Sequence, residues 1–251
     1  MQREELLALE HISKSFGGIK ALDGVSFSVR ENEIVGIIGL NGSGKTTAVN
    51  VITGFVKPDH GRVRFKGREI TGLAPHRIAT LGIARSFQTV RPFHSLPAFK
   101  NLIVPLFSPR IRKSTASGRW GDRNVVALDW LEEVGFERDS TVPYKPAAAL
   151  PHGYLRRLEL ARCLALRPEL LITDELFSGL SSAEVSSLAP LIEKLQARGV
   201  TLIMVEHRLR ELFRLANRVI VMDRGRVIAE GAPAEIVDDD KVRETFLGAE
   251  L

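Results

Sequence analysis

A short glycine-rich stretch, GLNGSGKTT at residues 39–47, carries the residue types best suited to chemistry in this sequence. Its spacing fits the P-loop pattern, in which two glycines flank four residues and a lysine and a threonine follow. Glycines let backbone N–H groups turn inward around phosphate oxygens, because they tolerate positive φ and carry no Cβ. We expect Lys45 to reach the β- and γ-phosphates and the Thr46 hydroxyl to hold Mg²⁺. The alternative is a glycine-rich turn that binds no ligand.

The residues on either side of this loop supply the strand and the helix that the motif needs. Residues 33–38, EIVGII, form an apolar run that predicts a buried strand, and a helix is predicted to begin at Thr47. The helix N-terminus adds free N–H donors and the positive end of its dipole. The predicted nucleotide contacts are Gly39, Leu40, Asn41, Gly42, Ser43, Gly44, Lys45, Thr46 and Thr47.

Polar side chains also stand at the ends of three other predicted strands. Asp174 and Glu175 follow the apolar run LLIT, His207 follows VTLIMVE, and Gln88 ends the run GIARSF. Phosphoryl transfer needs positioning and charge neutralisation, so Asp174 is placed to hold Mg²⁺ and Glu175 to orient or deprotonate a water. His207 could hydrogen-bond the γ-phosphate, and Gln88 could ligate the metal or its water. The plain alternatives are a solvated acidic strand end, a structural histidine and an ordinary polar strand end.

One aromatic residue stands in a turn between two further predicted strands, residues 6–10 and 25–30. Phe16 precedes Gly17 and Gly18, and its ring could stack on an adenine. On spacing alone, a hydrophobic plug under the turn is the better interpretation.

Composition limits the class of protein. Lys and Arg exceed Asp and Glu by 35 − 30 = 5, which suits a nucleotide or an anionic membrane face, and equally a solvated basic surface. The single cysteine, Cys163, cannot form an internal disulfide and lies in a helical pattern, so we expect it to pack in a reducing compartment. The sequence shows no signal peptide and no apolar run near the roughly 20 residues that cross a bilayer, so a cytoplasmic protein is expected.

Strands that alternate with helices predict an α/β fold with a largely parallel sheet. Residues 89–150 differ, because they are rich in proline and contain a basic polar stretch at 110–118 and a helical pattern at 124–135. We expect a mostly helical insertion there, with a mobile loop near 108–123. Ligands bind beyond the carboxyl ends of parallel strands, so the polar residues named above are expected to meet.

The elements after the insertion are also predicted by pattern. A helix is predicted at 153–166 and buried strands at 170–174 and 200–205. A capping box from Ser181 to Glu184 opens another helix, and residues 218–230 form a hairpin.

Together, these motifs resemble the ATP-binding subunits of ABC transporters over nearly the whole chain. GLNGSGKTT looks like Walker A, LLITDE at 170–175 like Walker B, SFQ at 86–88 like the Q-loop and VEH at 205–207 like the H-loop. Phe16 stands where that family has its adenine-stacking aromatic. The resemblance implies ATP and Mg²⁺ as ligands. The implied catalytic residues are Glu175, His207 and Lys45, and the implied metal ligands are Thr46, Gln88 and Asp174.

The resemblance also implies one cassette over residues 1–251. Its nucleotide-binding core, 1–88 and 167–251, has the parallel sheet and an N-terminal antiparallel β-subdomain, and residues 89–166 form an inserted helical subdomain. In this family two ATPase subunits meet head to tail, and each ATP lies between the Walker motifs of one and the signature of the other. LPHGY at 150–154 stands at the signature position, so Pro151, His152 and Gly153 are expected to contact a nucleotide.

Three runs are most similar to the branched-chain, or hydrophobic, amino acid importer branch. They are GIARSFQTVRPF at 82–93, RRLELAR at 156–162 and the C-terminal IAEGAP with FLG. This similarity implies an energy-coupling ATPase, peripheral on the inner face of the cell membrane. The implied partners are transmembrane permease subunits, a second ATPase subunit in a homo- or heterodimer and, indirectly, a solute-binding protein, with no nucleic acid. The alternatives are an ABC ATPase of lipopolysaccharide-export type and a non-transport or regulatory ABC protein with weakened hydrolysis.

The sequence departs from the family pattern in the parts presented to a partner's nucleotide. The usual signature is close to LSGGQ, but its serine is Pro151 here, which has neither hydroxyl nor N–H. His152 replaces a glycine, and Ser181 replaces the usual aspartate or asparagine of the D-loop. We hypothesise an asymmetric heterodimer, in which this chain hydrolyses its own ATP and presents a weakened signature to the other. The alternative is that the N–H groups of Gly153 and Tyr154 suffice.

Overall fold

A computed structural model describes residues 4–114 and 122–246 of the chain. The strands are β1 (Glu5–Phe16), β2 (Ile19–Arg30), β3 (Ile34–Ile38), β4 (His60–Phe65), β5 (Arg68–Glu69), β6 (Ile83–Arg85), β7 (Leu170–Asp174), β8 (Thr201–Val205), β9 (Arg218–Asp223) and β10 (Arg226–Gly231). The helices are α1 (Lys45–Ile52), α2 (Pro75–Leu81), α3 (Ile103–Leu106), α4 (Pro109–Ser114), α5 (Arg123–Glu133), α6 (His152–Leu164), α7 (Ser182–Ala197), α8 (Leu209–Leu215), α9 (Pro233–Asp238) and α10 (Asp240–Phe246).

The larger sheet has six strands in the order β10-β9-β3-β8-β7-β6. Five of them run parallel, and β10 closes one edge as the antiparallel partner of β9. Strands β3, β7 and β8 are buried along their whole length, which is why their sequences are continuous apolar runs. The predicted parallel α/β sheet is confirmed.

The smaller sheet is antiparallel, with the order β2-β1-β4-β5. It confirms the predicted N-terminal antiparallel part, but β1 and β2 are both 12 residues long, far longer than the predicted strands. Register shifts such as the one between Leu9 and Ile12 interrupt the pairing. Each shift breaks the alternation of apolar and polar residues, and the sequence pattern therefore reveals only part of each strand.

A buried ion pair joins the two sheets. Arg218 of β9 donates to both carboxylate oxygens of Glu33, at 2.8 and 2.9 Å, and to the Ser28 carbonyl of β2 at 2.7 Å. Burial alone would raise the pKa of Glu33, but hydrogen bonds from Arg218 and from the Arg30 N–H bring it below its ordinary value. The carboxylate is therefore charged at neutral pH, and the pair fixes the small sheet to the large one.

The insertion between β6 and α6 is mostly helical, as predicted. It contains α3, α4 and α5, with short 3-10 turns at Phe99–Leu102, Val142–Tyr144 and Ala147–Ala149. Helix α5 begins one residue before the predicted position, with the Asp122 side chain accepting from the Asn124 N–H at 2.9 Å.

The predicted mobile loop near 108–123 is wrong for its first part, because Pro109–Ser114 form α4. The physical reason is Arg110, whose guanidinium donates to the carbonyls of Leu81, Leu166 and Arg167. These bonds fix the basic stretch to the core. Residues 115–121, the middle of the predicted loop, lie outside the described residues.

Two further differences concern element ends. Strand β6 ends at Arg85, so Gln88 lies three residues beyond the strand and not at its end. Helix α6 covers 152–164, against the predicted 153–166. The capping box is confirmed: Ser181 accepts from the Glu184 N–H, and the Glu184 carboxylate accepts from the Ser181 N–H at 2.8 Å.

Cys163 is buried in the core on α6, as the sequence predicts, and this burial raises the pKa of its thiol. Within the two described segments, no helix has both the length and the apolar composition that crossing a membrane requires.

Candidate nucleotide-binding site

The P-loop joins β3 to α1 at the carboxyl end of the parallel strands. Helix α1 begins at Lys45, two residues earlier than predicted, with Gly44 as its N-cap at φ 105°. A Cβ at Gly44 would lie 2.6 Å from the Ala21 carbonyl oxygen, and one at Gly39 would lie 2.2 Å from that of Met222. Only glycine fits at either position, because β2 and β9 press directly on the loop.

The hairpin between β9 and β10 holds the same loop. The Gly225 N–H donates to the Ser43 carbonyl at 3.0 Å, and the Gly225 carbonyl accepts from the Asp23 N–H at 2.8 Å. The turn therefore bridges the P-loop and β2. These hydrogen bonds fix the backbone of the P-loop against its two neighbouring elements.

Lys45 lies inside the loop that it follows. Its side chain is buried, and its Nζ donates to the carbonyls of Gly39 and Leu40 at 2.7 and 2.9 Å. Burial lowers the pKa of Lys45, while the nearby carboxylates of Glu175 and Asp174 act in the opposite direction. The ammonium is thus within electrostatic reach of both carboxylates, and the P-loop and the end of β7 form one site.

Glu175 is the residue on which the predicted catalytic groups converge. Its Oε1 lies 3.1 Å from His207 Nε2, and its Oε2 accepts a hydrogen bond of 2.9 Å from Gln88 Nε2. The residue follows β7 directly and has φ 53°, in the left-handed region. Such a conformation costs a non-glycine residue about 1–3 kcal/mol. A hydrogen bond of 2.8 Å from its N–H to the Val205 carbonyl of β8 holds the strained turn.

Asp174 is the last residue of β7 and is buried. Its Oδ2 accepts a hydrogen bond of 2.7 Å from Arg85 Nη2, and Arg85 Nη1 donates to Asn50 Oδ1 of α1 at 2.6 Å. The guanidinium thus joins α1, β6 and β7 behind the site. Sequence reasoning missed Arg85, although one arginine inside the apolar run GIARSF was a visible signal.

The residues at the start of α1 and the end of β7 fit a magnesium ion bound together with nucleotide phosphates. Magnesium in such sites takes one or two protein oxygens and completes its octahedron with phosphate and water. Arg85 engages only one carboxylate oxygen of Asp174, and Thr46 carries its hydroxyl at an exposed position. Gln88 makes its hydrogen bond to Glu175, not to Asp174.

Phe16 lies at the tip of the β1–β2 hairpin, whose strand β2 contacts the P-loop. The residue is 48% exposed, with the Lys14 ammonium 5.4 Å from the ring centroid. The interpretation of Phe16 as a buried plug is therefore wrong. The ring presents an open face suited to stacking.

The three signature residues form the N-terminus of α6. Pro151 is the N-cap, His152 is the first helical residue and is exposed, and Gly153 is buried. A Cβ at Gly153 would lie 2.0 Å from Oε1 of Glu184, the capping residue of α7. The His152 ring in turn lies against Gly179. The signature is thus packed against the segment that follows Glu175.

Sequence reasoning also gave no role to Glu206, which lies between β8 and His207. Its carboxyl is buried and accepts from the Phe177 N–H at 3.3 Å. Burial raises its pKa to about 8, against the lowering effect of the Phe177 and Leu176 N–H groups. At pH 7 this carboxyl is therefore largely protonated, and it supports the backbone that follows Glu175.

Known proteins agree with this geometry. The family model described as ABC transporter matches residues 22–178, and the model described as branched-chain amino acid ATP-binding cassette transporter matches residues 226–251. The high-affinity branched-chain amino acid transport ATP-binding protein BraF of Pseudomonas aeruginosa is 36% identical over 97% of this chain and 98% of its own length. The corresponding protein LivG of Salmonella typhimurium is 35% identical over 98% of each chain.

Solved structures of ATP-binding cassettes are also similar to this chain. A nucleotide-free ATP-binding cassette from an ABC transporter superposes with a TM-score of 0.85 at 32% identity, over 97% of this chain and 99% of that one. An ATP-binding cassette in its ADP conformation superposes with a TM-score of 0.84 at 34% identity, over 98% and 99%. The fold and the site define a P-loop ATPase of the cassette class. The chain belongs to the ABC transporter family, in its branch of branched-chain amino acid ATP-binding cassettes.

Replacement of Arg85 tests the support behind the site. We expect Arg85→Met to lower the free energy of unfolding by about 3–5 kcal/mol, because it leaves Asp174 buried without its cationic partner. Denaturant titration of the purified chain measures this loss. As a control, Arg64→Met removes a half-exposed partner of Glu10 and should cost no more than about 1 kcal/mol. Equal losses in the two variants would show that Asp174 does not depend on Arg85.

Proposed function

We propose that this chain is the energy-coupling ATPase of an importer of branched-chain or related amino acids. The observation that carries the proposal is Glu175, held by Gln88 and His207 beside the P-loop. The relatives BraF and LivG are by name ATP-binding proteins of branched-chain amino acid transport, which supports the substrate class. Neither relative favours the lipopolysaccharide-export alternative.

In this proposal the chain binds ATP through the P-loop and Phe16. N–H groups of the P-loop and of the first turn of α1 bind the β- and γ-phosphates, because a helix N-terminus presents free donors to an anion. Lys45 exchanges its loop carbonyls for phosphate oxygens. Phe16 stacks on the adenine. Mg²⁺, when bound, neutralises phosphate charge, and Thr46, Asp174 and Gln88 are its proposed ligands.

Glu175 is the proposed general base. It accepts a hydrogen bond from the attacking water and takes up its proton as the γ-phosphate is transferred. His207 contacts one of its carboxylate oxygens and Gln88 the other, so the two side chains together fix the direction of the carboxylate. His207 also donates to the γ-phosphate in this scheme.

Hydrolysis in this proposal requires a second ATPase subunit. Pro151, His152 and Gly153 are at a helix N-terminus, which suits them to contact the γ-phosphate bound by that partner. Proline at position 151, where the family has serine, supports an asymmetric pair of ATPase subunits. In this pair, the chain presents the weaker signature to its partner's ATP. The division into a core, 1–88 and 167–251, and a helical subdomain, 89–166, belongs to the same proposal.

The proposed contact with the permease subunits lies at a groove between the core and the insertion. The groove has a volume of about 510 Å³ and is lined by residues that include Phe55, Phe87, Val104 and Pro105. Phe55 and Val104 are 53% and 58% exposed, so the groove offers apolar side chains that a partner would cover. We place the chain on the inner face of the cell membrane, with the solute selected by other subunits.

The variant Glu175→Gln tests the catalytic assignment. We expect turnover to fall by about 10²–10⁴, since the amide cannot accept the proton of the water, while ATP binding persists. Phosphate release and nucleotide binding are measured on the chain together with its membrane partners. The variant Glu132→Gln, in α5 of the insertion, is the control and should retain turnover. Unchanged turnover in Glu175→Gln would remove Glu175 from catalysis and favour a regulatory ABC protein.

Isolation from native membranes tests the transport assignment. We expect the tagged chain to bring down two multi-span membrane proteins and a second ATPase, because a chain of this family needs another chain to cross the bilayer. Mass spectrometry of the detergent-solubilised complex identifies them. Recovery of ribosomes or nucleic acid without membrane proteins would overturn the proposal that the chain belongs to an importer.

The variant Pro151→Ser tests the asymmetry. A serine restores a hydroxyl and an N–H at the N-terminus of α6, and one such donor is worth roughly 3 kcal/mol in a transition state. We therefore expect the turnover of the assembled complex to rise. Pro233→Ser, at the first position of α9, is the control and should leave turnover as it is. If Pro151→Ser gave the same turnover as the parent, the signature would not be weakened.

A further inference from the structure

Helix α6 carries a row of three polar residues that its nucleotide-facing end does not use. Arg156, Glu159 and Arg162 are spaced three residues apart, so they lie along one face of the helix. Arg156 and Glu159 are each only 5% exposed. Burial of charged side chains is costly unless they are paired and hydrogen-bonded. These two side chains therefore need partners.

Their partner is the backbone of the segment after β6. The Phe87 N–H donates to Glu159 Oε1 at 3.3 Å, and the Phe87 carbonyl accepts from Arg156 Nη1 at 3.2 Å. The segment has left the sheet, so its N–H and C=O groups no longer have strand partners. Two side chains of α6 supply both partners of this one residue.

The third member of the row extends the contact. Arg162 Nη1 donates to the Arg91 carbonyl at 2.9 Å and lies 3.3 Å from Glu159 Oε2. Residues 87–91 are therefore fastened to α6 at both ends. The Phe87 ring adds an edge-to-face contact with Phe55, whose centroid is 5.6 Å away. The fastened segment contains Gln88, which is the hydrogen-bond donor to Glu175.

Helix α6 thus connects the signature, which in the proposed dimer faces the partner's nucleotide, with the segment that holds Gln88 at this chain's own site. Its N-terminus is the signature, and its second and third turns hold the residue next to Gln88. From His152 to Glu159 the rise is about 10 Å, within a continuous and rigid element. The hydrogen bonds to Phe87 therefore lie between the N-terminus of α6 and the contact of Gln88 with Glu175.

We propose that Arg156 and Glu159 are positioning residues for ATP hydrolysis, which clamp the Phe87 backbone and thereby hold Gln88 against Glu175. The clamp ties the geometry of this chain's catalytic carboxylate to the position of the helix that faces the partner's nucleotide. The inference rests on the proposed roles of Glu175 and Gln88.

The test compares variants at Glu159. Glu159→Leu removes the acceptor for the Phe87 N–H, and we expect kcat to fall roughly ten- to a hundredfold with little change in KM for ATP. Glu159→Gln keeps an acceptor oxygen and should retain most of kcat. Hydrogen exchange at the Phe87 and Gln88 amides should be faster in Glu159→Leu and near the parent rate in Glu159→Gln. All variants are assayed in the complex purified with its membrane partners.

Arg157→Leu is the matched control, because Arg157 is also on α6 but donates to the Val134 carbonyl and to Ser187 Oγ. It should lower the melting temperature without changing kcat or the exchange at Phe87. If Glu159→Leu does not fold, Arg156→Gln replaces it, since the shorter side chain loses the Phe87 carbonyl; the same loss of kcat is expected.

Three outcomes would overturn the clamp. They are unchanged kcat and exchange in the clamp variants, an equal loss of kcat in Arg157→Leu, and a full loss in Glu159→Gln. The variant Glu175→Gln, assayed in the same preparation, distinguishes failure of the clamp from failure of the proposed catalytic role of Glu175. If Glu175→Gln is inactive and the clamp variants are fully active, only the clamp fails. If Glu175→Gln is active, the proposed catalytic site fails.

Discussion

The parallel register of three strands is the constraint on which the site depends. Val205 of β8 is paired with Ile37 of β3 on one side and with Asp174 of β7 on the other. The chain leaves all three strands at the same level. The P-loop follows β3, Glu175 follows β7, and His207 lies just after β8. No loop has to reach across the sheet to form the site, and its groups stay together as long as the sheet is intact.

Paired charges then hold the elements that the sheet does not connect. The Arg218–Glu33 pair attaches the small sheet, and the Arg85–Asp174 pair attaches α1 and β6 to the end of β7. The carboxylate residues of the two pairs, Glu33 and Asp174, are almost completely buried. Removal of one partner would strand a charge in a medium that solvates it poorly. Each pair therefore holds the elements it joins in one arrangement.

The sequence predicted those features that depend on local pattern. Apolar runs located the buried strands, and the glycine spacing located the P-loop, because both reflect the geometry of a few neighbouring residues. The contacts that orient the site connect distant parts of the chain: Arg85 reaches Asp174 across 89 positions, and Glu159 reaches Phe87 across 72. No periodicity records such a pair. The same limit explains α4, where Arg110 stabilises a stretch whose composition alone favoured a loop.

In the proposed dimer, the two unusual features of α6 act on different nucleotide sites. Pro151 changes what the helix offers to the partner's phosphate, whereas Arg156 and Glu159 are proposed to position the chain's own Glu175 through Phe87. A weak signature therefore does not imply a weak site in the same subunit. It would leave this chain's carboxylate fully positioned while the partner's ATP receives fewer donors. In the proposed pair, hydrolysis is concentrated at the site that contains Glu175.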